Sequence, residues 1–212
     1  VGYQLYIDLV ADLVANKHVI ASTMRKEVER VNLAIQEAQK GKTVCIISSG
    51  DPGVYGMAGL VLEVISKENI PLSVEIVPGI PAANAAAAAL GAPLMHDYAV
   101  ISLSDLLTTW ETIEKRIQCA AAADFVIVLY NPKSSQRDWQ IEKTVQIILQ
   151  HKSPATPVGI VKDASREGET VVITTLDKVV THPIDMTTII IVGNSTTFTY
   201  RDFMITKRGY SV

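Results

Sequence analysis

The sequence predicts an α/β protein of two domains, the first built on a mostly parallel sheet and the second on a mixed sheet, with an active-site cleft between them. Three observations predict it. Residues 44–47 and 125–130 are short, apolar and rich in β-branched side chains, which is how strands buried on both faces of a sheet read. Each run ends in a turn containing Gly, Pro or Asn, and helical periodicity then resumes. The alternation breaks once, at Gly91-Ala92-Pro93-Leu94-Met95-His96-Asp97-Tyr98, which places an N-terminal domain over 1–97 and a C-terminal domain over 98–212.

In chain order, residues 3–15 read as a strand end running into a short helix. A helix follows from Ser22 or Thr23 to about Lys40, with Met24, Val28, Val31, Ile35 and Ala38 on its apolar face and Gly41 as its stop. The strand at 44–47 leads into a glycine-rich loop, where Pro52 suits the first turn of a helix, and the helix itself reads from about Tyr55 to Lys67. A second strand at 72–77 enters the turn Val77-Pro78-Gly79-Ile80-Pro81 and an alanine-rich helix to Leu90, slim enough to pack very close to a neighbour. The second domain starts with a strand at 99–103, then Thr108-x-x-Glu111 as a capping box for a helix with Trp110, Ile113, Ile117 and Ala120 inside. After the strand at 125–130 come a helix at 139–150, strands at 157–162, 170–174 and 187–192, and an edge strand at 203–206.

With 212 residues, 48% of them hydrophobic and 19% charged, the chain can bury a substantial core. No window approaches the roughly 18 unbroken apolar residues of a membrane span, and no signal-like segment opens the chain, so a cytoplasmic protein without membrane association is expected. A net charge of −3 argues against general nucleic-acid binding. The two cysteines, Cys45 in a predicted strand and Cys119 in a predicted helix, are too few and too far apart for a metal motif or disulfide framework; both read as core packing, and no metal site is expected. A mean hydropathy of +0.25 suggests more apolar surface than one monomer can bury, consistent with a homodimer.

The chemistry centres on Ser48-Ser49-Gly50-Asp51-Pro52-Gly53-Val54-Tyr55-Gly56. A loop leaving a parallel strand for a helix directs bare N–H groups at an anionic group. Asp51 would repel a diphosphate, and the loop lacks the Lys-Ser/Thr of a P-loop. Glycines at 50, 53, 56 and 59 do not match the dinucleotide fingerprint either. A ligand bearing both signs fits, and so does a plain tight turn.

Several blocks together resemble the tetrapyrrole methylase superfamily, the class III fold of S-adenosylmethionine-dependent methyltransferases: Ser49-Gly50-Asp51-Pro52, Val77-Pro78-Gly79-Ile80 with its alanine-rich helix, and Ile191-Val192-Gly193. Others resemble the branch acting at carbon 17 of precorrin-3B or cobalt-factor III type macrocycles in cobalamin biosynthesis, with ring contraction: His96-Asp97-Tyr98, Ile101-Ser102-Leu103-Ser104-Asp105-Leu106-Leu107-Thr108, Leu129-Tyr130-Asn131-Pro132-Lys133 and Thr206-Lys207-Arg208-Gly209-Tyr210. The resemblance covers essentially the whole chain. It implies S-adenosylmethionine as cofactor, its methionine end held by Ser49, Gly50, Asp51, Val54 and Tyr55, with Pro81 and Ala82 touching it next. Tyr130, Asn131, Ala164 and Thr188 match the positions that enclose adenine. Asp105 and His96 are the candidate acid or base for a proton step after methyl transfer; a helix cap for Asp105 and an interdomain hydrogen bond for His96 are the alternatives. A tetrapyrrole substrate carries many carboxylates, for which Lys133 and Arg166, with Arg137 and Lys162, are the candidate cations, each otherwise a solvated charge.

Two departures from the family pattern stand out. The family has an upstream strand ending in Gly-x-Gly-Pro-Gly, whereas this sequence opens at Val1-Gly2-Tyr3, so an upstream segment is expected. It has Thr109 where members tend to carry Pro at the start of the helix. Another tetrapyrrole C-methyltransferase and a truncated, non-catalytic cofactor-binding module are the alternative readings.

Overall fold

The protein, described as a computed structural model, is defined over residues 1–134 and 137–211. It divides into two units, Val1–Pro81 and Ala82–Val212. The sequence reading instead put the change of domain after residue 97. The helix Ala82–Leu90 falls in the second unit because it lies against strands of that unit's sheet.

The first unit begins with strand β1 (Gly2–Tyr3), helices α1 (Gln4–Asp8) and α2 (Ala11–Val14), and strand β2 (Ala21–Ser22). β1 and β2 pair in parallel, Gly2 opposite Ala21 and Tyr3 opposite Ser22. Helix α3 (Glu27–Gln39) buries Arg30, Val31, Ala34 and Ile35. The helix starts later than expected, so Met24 lies outside it, and Met24 and Val28 are exposed. Gly41 takes φ +82 just past its end, with open space around it, as a helix-terminating glycine should. The Arg30 guanidinium is buried and clips β2 to the helix, donating to Ser22 Oγ at 2.7 Å and to the Thr23 carbonyl at 3.0 Å.

Helix α4 (Ala58–Lys67) also starts later than its sequence suggests. Residues 52–57 form turns instead, and the loop folds back beneath the helix. Ser48 Oγ accepts the Met57 N–H at 3.1 Å and the Pro52 carbonyl accepts the Ala58 N–H at 3.0 Å, so the loop satisfies donors that a helix beginning at Pro52 would have bonded internally. The expected strands at 44–47 and 72–77 are not strands; among the described residues, β1–β2 is the first unit's sheet. The Cys45 carbonyl accepts from the Val1 amino group at 2.8 Å and the Ile47 N–H donates to the Val1 carbonyl at 3.0 Å, a contact too short to make a ladder. Val74, Ile76 and Val77 are exposed. An apolar, β-branched run favours extended backbone, but a strand also needs a hydrogen-bonding edge beside it. Cys45 is likewise exposed, as is Cys119, so neither is the core residue its sequence surroundings suggested.

In the second unit, helix α5 (Ala82–Leu90) and strand β3 (Gly91–Ala92) precede β4 (Tyr98–Ser102), α6 (Trp110–Ala122), β5 (Val126–Tyr130), α7 (Trp139–Ile148), β6 (Pro157–Lys162) and β7 (Thr170–Thr175). A 3-10 turn over Leu176–Thr181 then leads to β8 (Thr188–Val192), β9 (Thr197–Tyr200) and β10 (Phe203–Thr206). The main sheet runs β4-β5-β8-β6-β7, parallel between β4 and β5 and antiparallel elsewhere; β3, β10 and β9 form a small second sheet. Alternation along the strands divides their side chains between two buried faces. Ile101, Leu103, Ile127, Leu129, Val158, Ile160, Ile190 and Val192 pack with Ile113 and Ile117 of α6 and Ile141 and Val145 of α7. The other face receives α5, where Gly159 leaves room for Leu90: a Cβ there would lie 2.2 Å from Leu90 Cδ1. Ala83, Ala86 and Ala87 are buried along that helix. α6 begins at Trp110 with Thr109 as N-cap and makes no side-chain cap bond, so the Thr108-x-x-Glu111 box does not form. Among the described residues, no helix is long and apolar enough to cross a membrane.

Candidate active-site loops

In the first unit, the loop after residue 47 and the turn before Pro81 are fastened by one side chain. Asp51 Oδ1 accepts the Gly53 N–H at 2.8 Å, and Oδ2 accepts the Gly79 N–H at 3.0 Å, across 28 residues of chain. These donors, Gly79 first and Gly53 second, hold the Asp51 carboxyl below the usual carboxylate range. Gly79 must be glycine at this contact: a Cβ would sit 2.2 Å from the Gly50 carbonyl oxygen. Gly50 itself has φ +75, and Tyr55 holds φ +53 with its ring mostly exposed. Gly56 packs its α-carbon on the backbone of Pro52, where a Cβ would come within 2.5 Å of the carbonyl. Ser49, Asp51, Val54 and Pro81 are half-buried and Gly50 is exposed, so the loop presents main chain and small groups around a carboxylate that is already hydrogen-bonded.

In the second unit, the C-terminal ends of β4 and β5 gather polar groups. The Tyr130 hydroxyl accepts the Ala83 N–H at 2.8 Å, serving the open N-terminus of α5 beside Ala82. Asn131 leaves β5 with φ +50, and its amide donates to Ser102 Oγ at 2.9 Å. Asp105, on the loop after β4, accepts from Gln140 Nε2 at 3.0 Å and lies 3.9 Å from Arg137 Nε. Arg137 is buried and donates to the Asn131 carbonyl at 2.7 Å. Burial lowers its pKa, with Asp105 opposing that shift. Arg137 is therefore committed to the protein rather than free for a substrate carboxylate. Gln140 escaped the sequence reading, although with Thr144 it lies one turn apart on the stripe that also carries Ile148, a signal of a buried polar face.

The remaining candidates lie on other loops and strand ends of the second unit. His96, between β3 and β4, accepts the backbone N–H of its neighbour Asp97 at Nδ1, 2.8 Å. Ala164 is half-buried in a tight turn after β6, flanked by Asp163 at φ +50 and Ser165 at φ +59. Thr188, buried at the start of β8, donates to Asp185 Oδ1 at 3.0 Å. Lys162 pairs with Asp185 Oδ2 at 2.8 Å. Burial opposes ionisation of Asp185, but Lys162, the Thr187 N–H and the Thr188 and Thr187 hydroxyls outweigh it and hold the carboxyl at about 2. Lys133 and Arg166 are half-buried at loop positions after β5 and β6.

The profile of the Tetrapyrrole (Corrin/Porphyrin) Methylases matches residues 4–180. The chain belongs to this family. A cobalt-factor III methyltransferase of Priestia megaterium is 52% identical over 99% of the chain, which spans 40% of that relative's length. A probable cobalt-factor III C(17)-methyltransferase of Salmonella typhimurium is 50% identical over 100% of the chain and 88% of its own length. Among solved structures, the methyltransferase CobJ superposes with a TM-score of 0.89 at 33% identity, covering 98% of this chain and 87% of that one. Within this member of the tetrapyrrole methylases, the geometry separates the cations into Arg137, enclosed by Asp105 and Asn131, and Lys133 and Arg166, which keep partial access to solvent.

Proposed function

We propose that this chain transfers a methyl group from S-adenosylmethionine to carbon 17 of a cobalt-factor III or precorrin-3B type macrocycle, with ring contraction, in cobalamin biosynthesis. The names of its full-chain relatives support the reading, and one structural observation carries it. The loop of Ser49, Gly50, Asp51, Val54 and Tyr55 offers accessible backbone beside a carboxylate pre-paired with the Gly79 and Gly53 N–H groups. Such a loop suits the carboxylate and ammonium of a methionine moiety, because its own charge is fixed by hydrogen bonds and needs no rearrangement to admit the ligand. The bound cofactor would supply an electrophilic methyl group. The protein's share of the work is to align donor and acceptor and to exclude water.

In this reading, Pro81 and Ala82 touch the cofactor next, and Tyr130, Asn131, Ala164 and Thr188 receive its adenine end. Asp105 is the acid or base for the step after methyl transfer, with His96 as the second candidate. Lys133 and Arg166 meet the carboxylates of the macrocycle, so affinity for it should weaken as salt is raised. The protein acts in the cytoplasm as a homodimer; a concentration-independent solution mass near 23.0 kDa would refute the dimer.

The deciding experiment incubates the protein with S-adenosylmethionine and a panel of cobalt-factor III, precorrin-3B and uroporphyrinogen, and locates the added methyl by mass and NMR. A C17-methylated, ring-contracted product is expected. Methylation confined to another carbon would replace the substrate assignment. Calorimetric binding of S-adenosylhomocysteine without turnover on any macrocycle would make the chain a binding module.

A further inference from the structure

Arg137 is only 6% exposed, and the one carboxylate paired with it among the described residues, Asp105, is at 3.9 Å, the outer edge of an ion pair. A buried charge so loosely paired stabilises a fold less well than an apolar side chain of similar size. What the guanidinium does hold is geometry. Nη1 donates to the Asn131 carbonyl at 2.7 Å, Nη2 to Met186 Sδ at 3.5 Å, and Nε faces Asp105 Oδ1. The residue's own backbone closes a reciprocal pair with Ser134, at 2.8 and 3.2 Å. Asn131 is thereby fixed at both ends, its carbonyl by Arg137 and its side-chain amide by Ser102, in a left-handed conformation that a non-glycine residue adopts at a cost.

Gln140 supports the same group from α7. It is 2% exposed and donates Nε2 to Asp105 Oδ2 at 3.0 Å, while its Oε1 and the Thr144 hydroxyl have no hydrogen-bond partner among the described residues. A buried amide used on one side only is poor value for stability, and its one bond is to Asp105.

We infer that Arg137 and Gln140 are positioning residues: Arg137 sets the Asn131 backbone and the Asp105 carboxylate together, whereas Gln140 orients Asp105 alone. The inference rests on the proposed methyl transfer, in which Asn131 serves cofactor binding and Asp105 the later proton step. It predicts a split that a purely structural role would not produce. Arg137→Met should raise the dissociation constant of S-adenosylhomocysteine roughly tenfold or more and also lower kcat. Gln140→Met should leave that constant within about twofold of wild type and lower kcat roughly tenfold or more. Arg137→Lys, whose ammonium can serve the Asn131 carbonyl or Asp105 but lacks the planar fork, should fall between wild type and Arg137→Met.

Binding is read by calorimetry and kcat by product mass, both scaled to the folded fraction from circular dichroism. If Arg137→Met does not fold, Arg137→Lys and Gln140→Met carry the test. Wild-type binding and turnover per folded molecule in both variants would overturn the inference. So would a loss of cofactor affinity in Gln140→Met as large as in the Arg137 variant. Wild-type protein that binds S-adenosylhomocysteine but methylates no macrocycle would refute the proposed function instead, and the binding arm would still decide whether Arg137 positions Asn131. Wild-type protein that binds neither would overturn both.

Discussion

Replacing Gly79 by alanine tests whether the two first-unit loops are held by close backbone approach. The added Cβ would lie 2.2 Å from the Gly50 carbonyl oxygen, 3.0 Å from its carbon and 3.4 Å from Asp51 Cα. These are main-chain atoms with no flexible end to swing away, so the turn before Pro81 must move off the loop, and the Gly79 N–H loses its 3.0 Å bond to Asp51. Overpacking of this kind costs about 1–3 kcal/mol. At about 2–4 °C per kcal/mol for a chain of this size, the thermal midpoint should fall by several degrees. The same displacement pulls Gly50 and Asp51 out of register, so S-adenosylhomocysteine should bind roughly tenfold more weakly or worse by calorimetry. Gly59→Ala supplies the control. Gly59 lies within α4 with nothing near its Cβ position, so alanine there should raise stability by roughly 0.5–1 kcal/mol and leave binding alone. A Gly79→Ala protein with wild-type midpoint and wild-type affinity would show that the loops are not coupled through this contact.

Asp105→Asn conserves shape while removing the charge beside Arg137 and Gln140. The variant should fold and bind S-adenosylhomocysteine, but form product roughly a hundredfold more slowly. Build-up of methylated, uncontracted macrocycle would place Asp105 in the second step; normal turnover per folded molecule would reduce it to a structural role. Asp185, held at about 2 in the folded chain, should contribute stability that is fully present above its unfolded value near 4 and is lost as pH falls toward 2. In acid titrations followed by circular dichroism, Asp185→Asn should therefore flatten this part of the stability curve. An unchanged curve would mean that Lys162 and the two threonines do not stabilise the carboxylate.

The sequence by itself determined most of the second unit. The strands Pro157–Lys162 and Phe203–Thr206 occupy the residues expected of them, and α7 starts at Trp139, because burial on both faces or on one stripe writes itself directly into apolar periodicity; Phe203–Thr206 is nevertheless the centre of its sheet and not the expected edge, since β3 and β9 pair with it on either side. β9 is not read from the sequence: Thr197-Phe198-Thr199-Tyr200 has strand-forming residues, but it is only four residues long and mostly exposed, and owes its strand to pairing with β10. The blocks that resemble the family were also legible, because they are contiguous: a turn, its glycines and the residues beside it are read together. Only the tertiary structure decided what depends on a distant partner. Residues 44–47 and 72–77 have strand composition without a ladder, because composition sets a backbone preference while a ladder requires a neighbouring edge. The oxygens of Asp51 could be assigned only once Gly79 was placed beside it, and Arg137 looked like one more surface cation until burial enclosed it between Asn131 and Asp105. A side chain's charge is local and readable from sequence; whether that charge faces water, a ligand or a carbonyl far along the chain is set by packing.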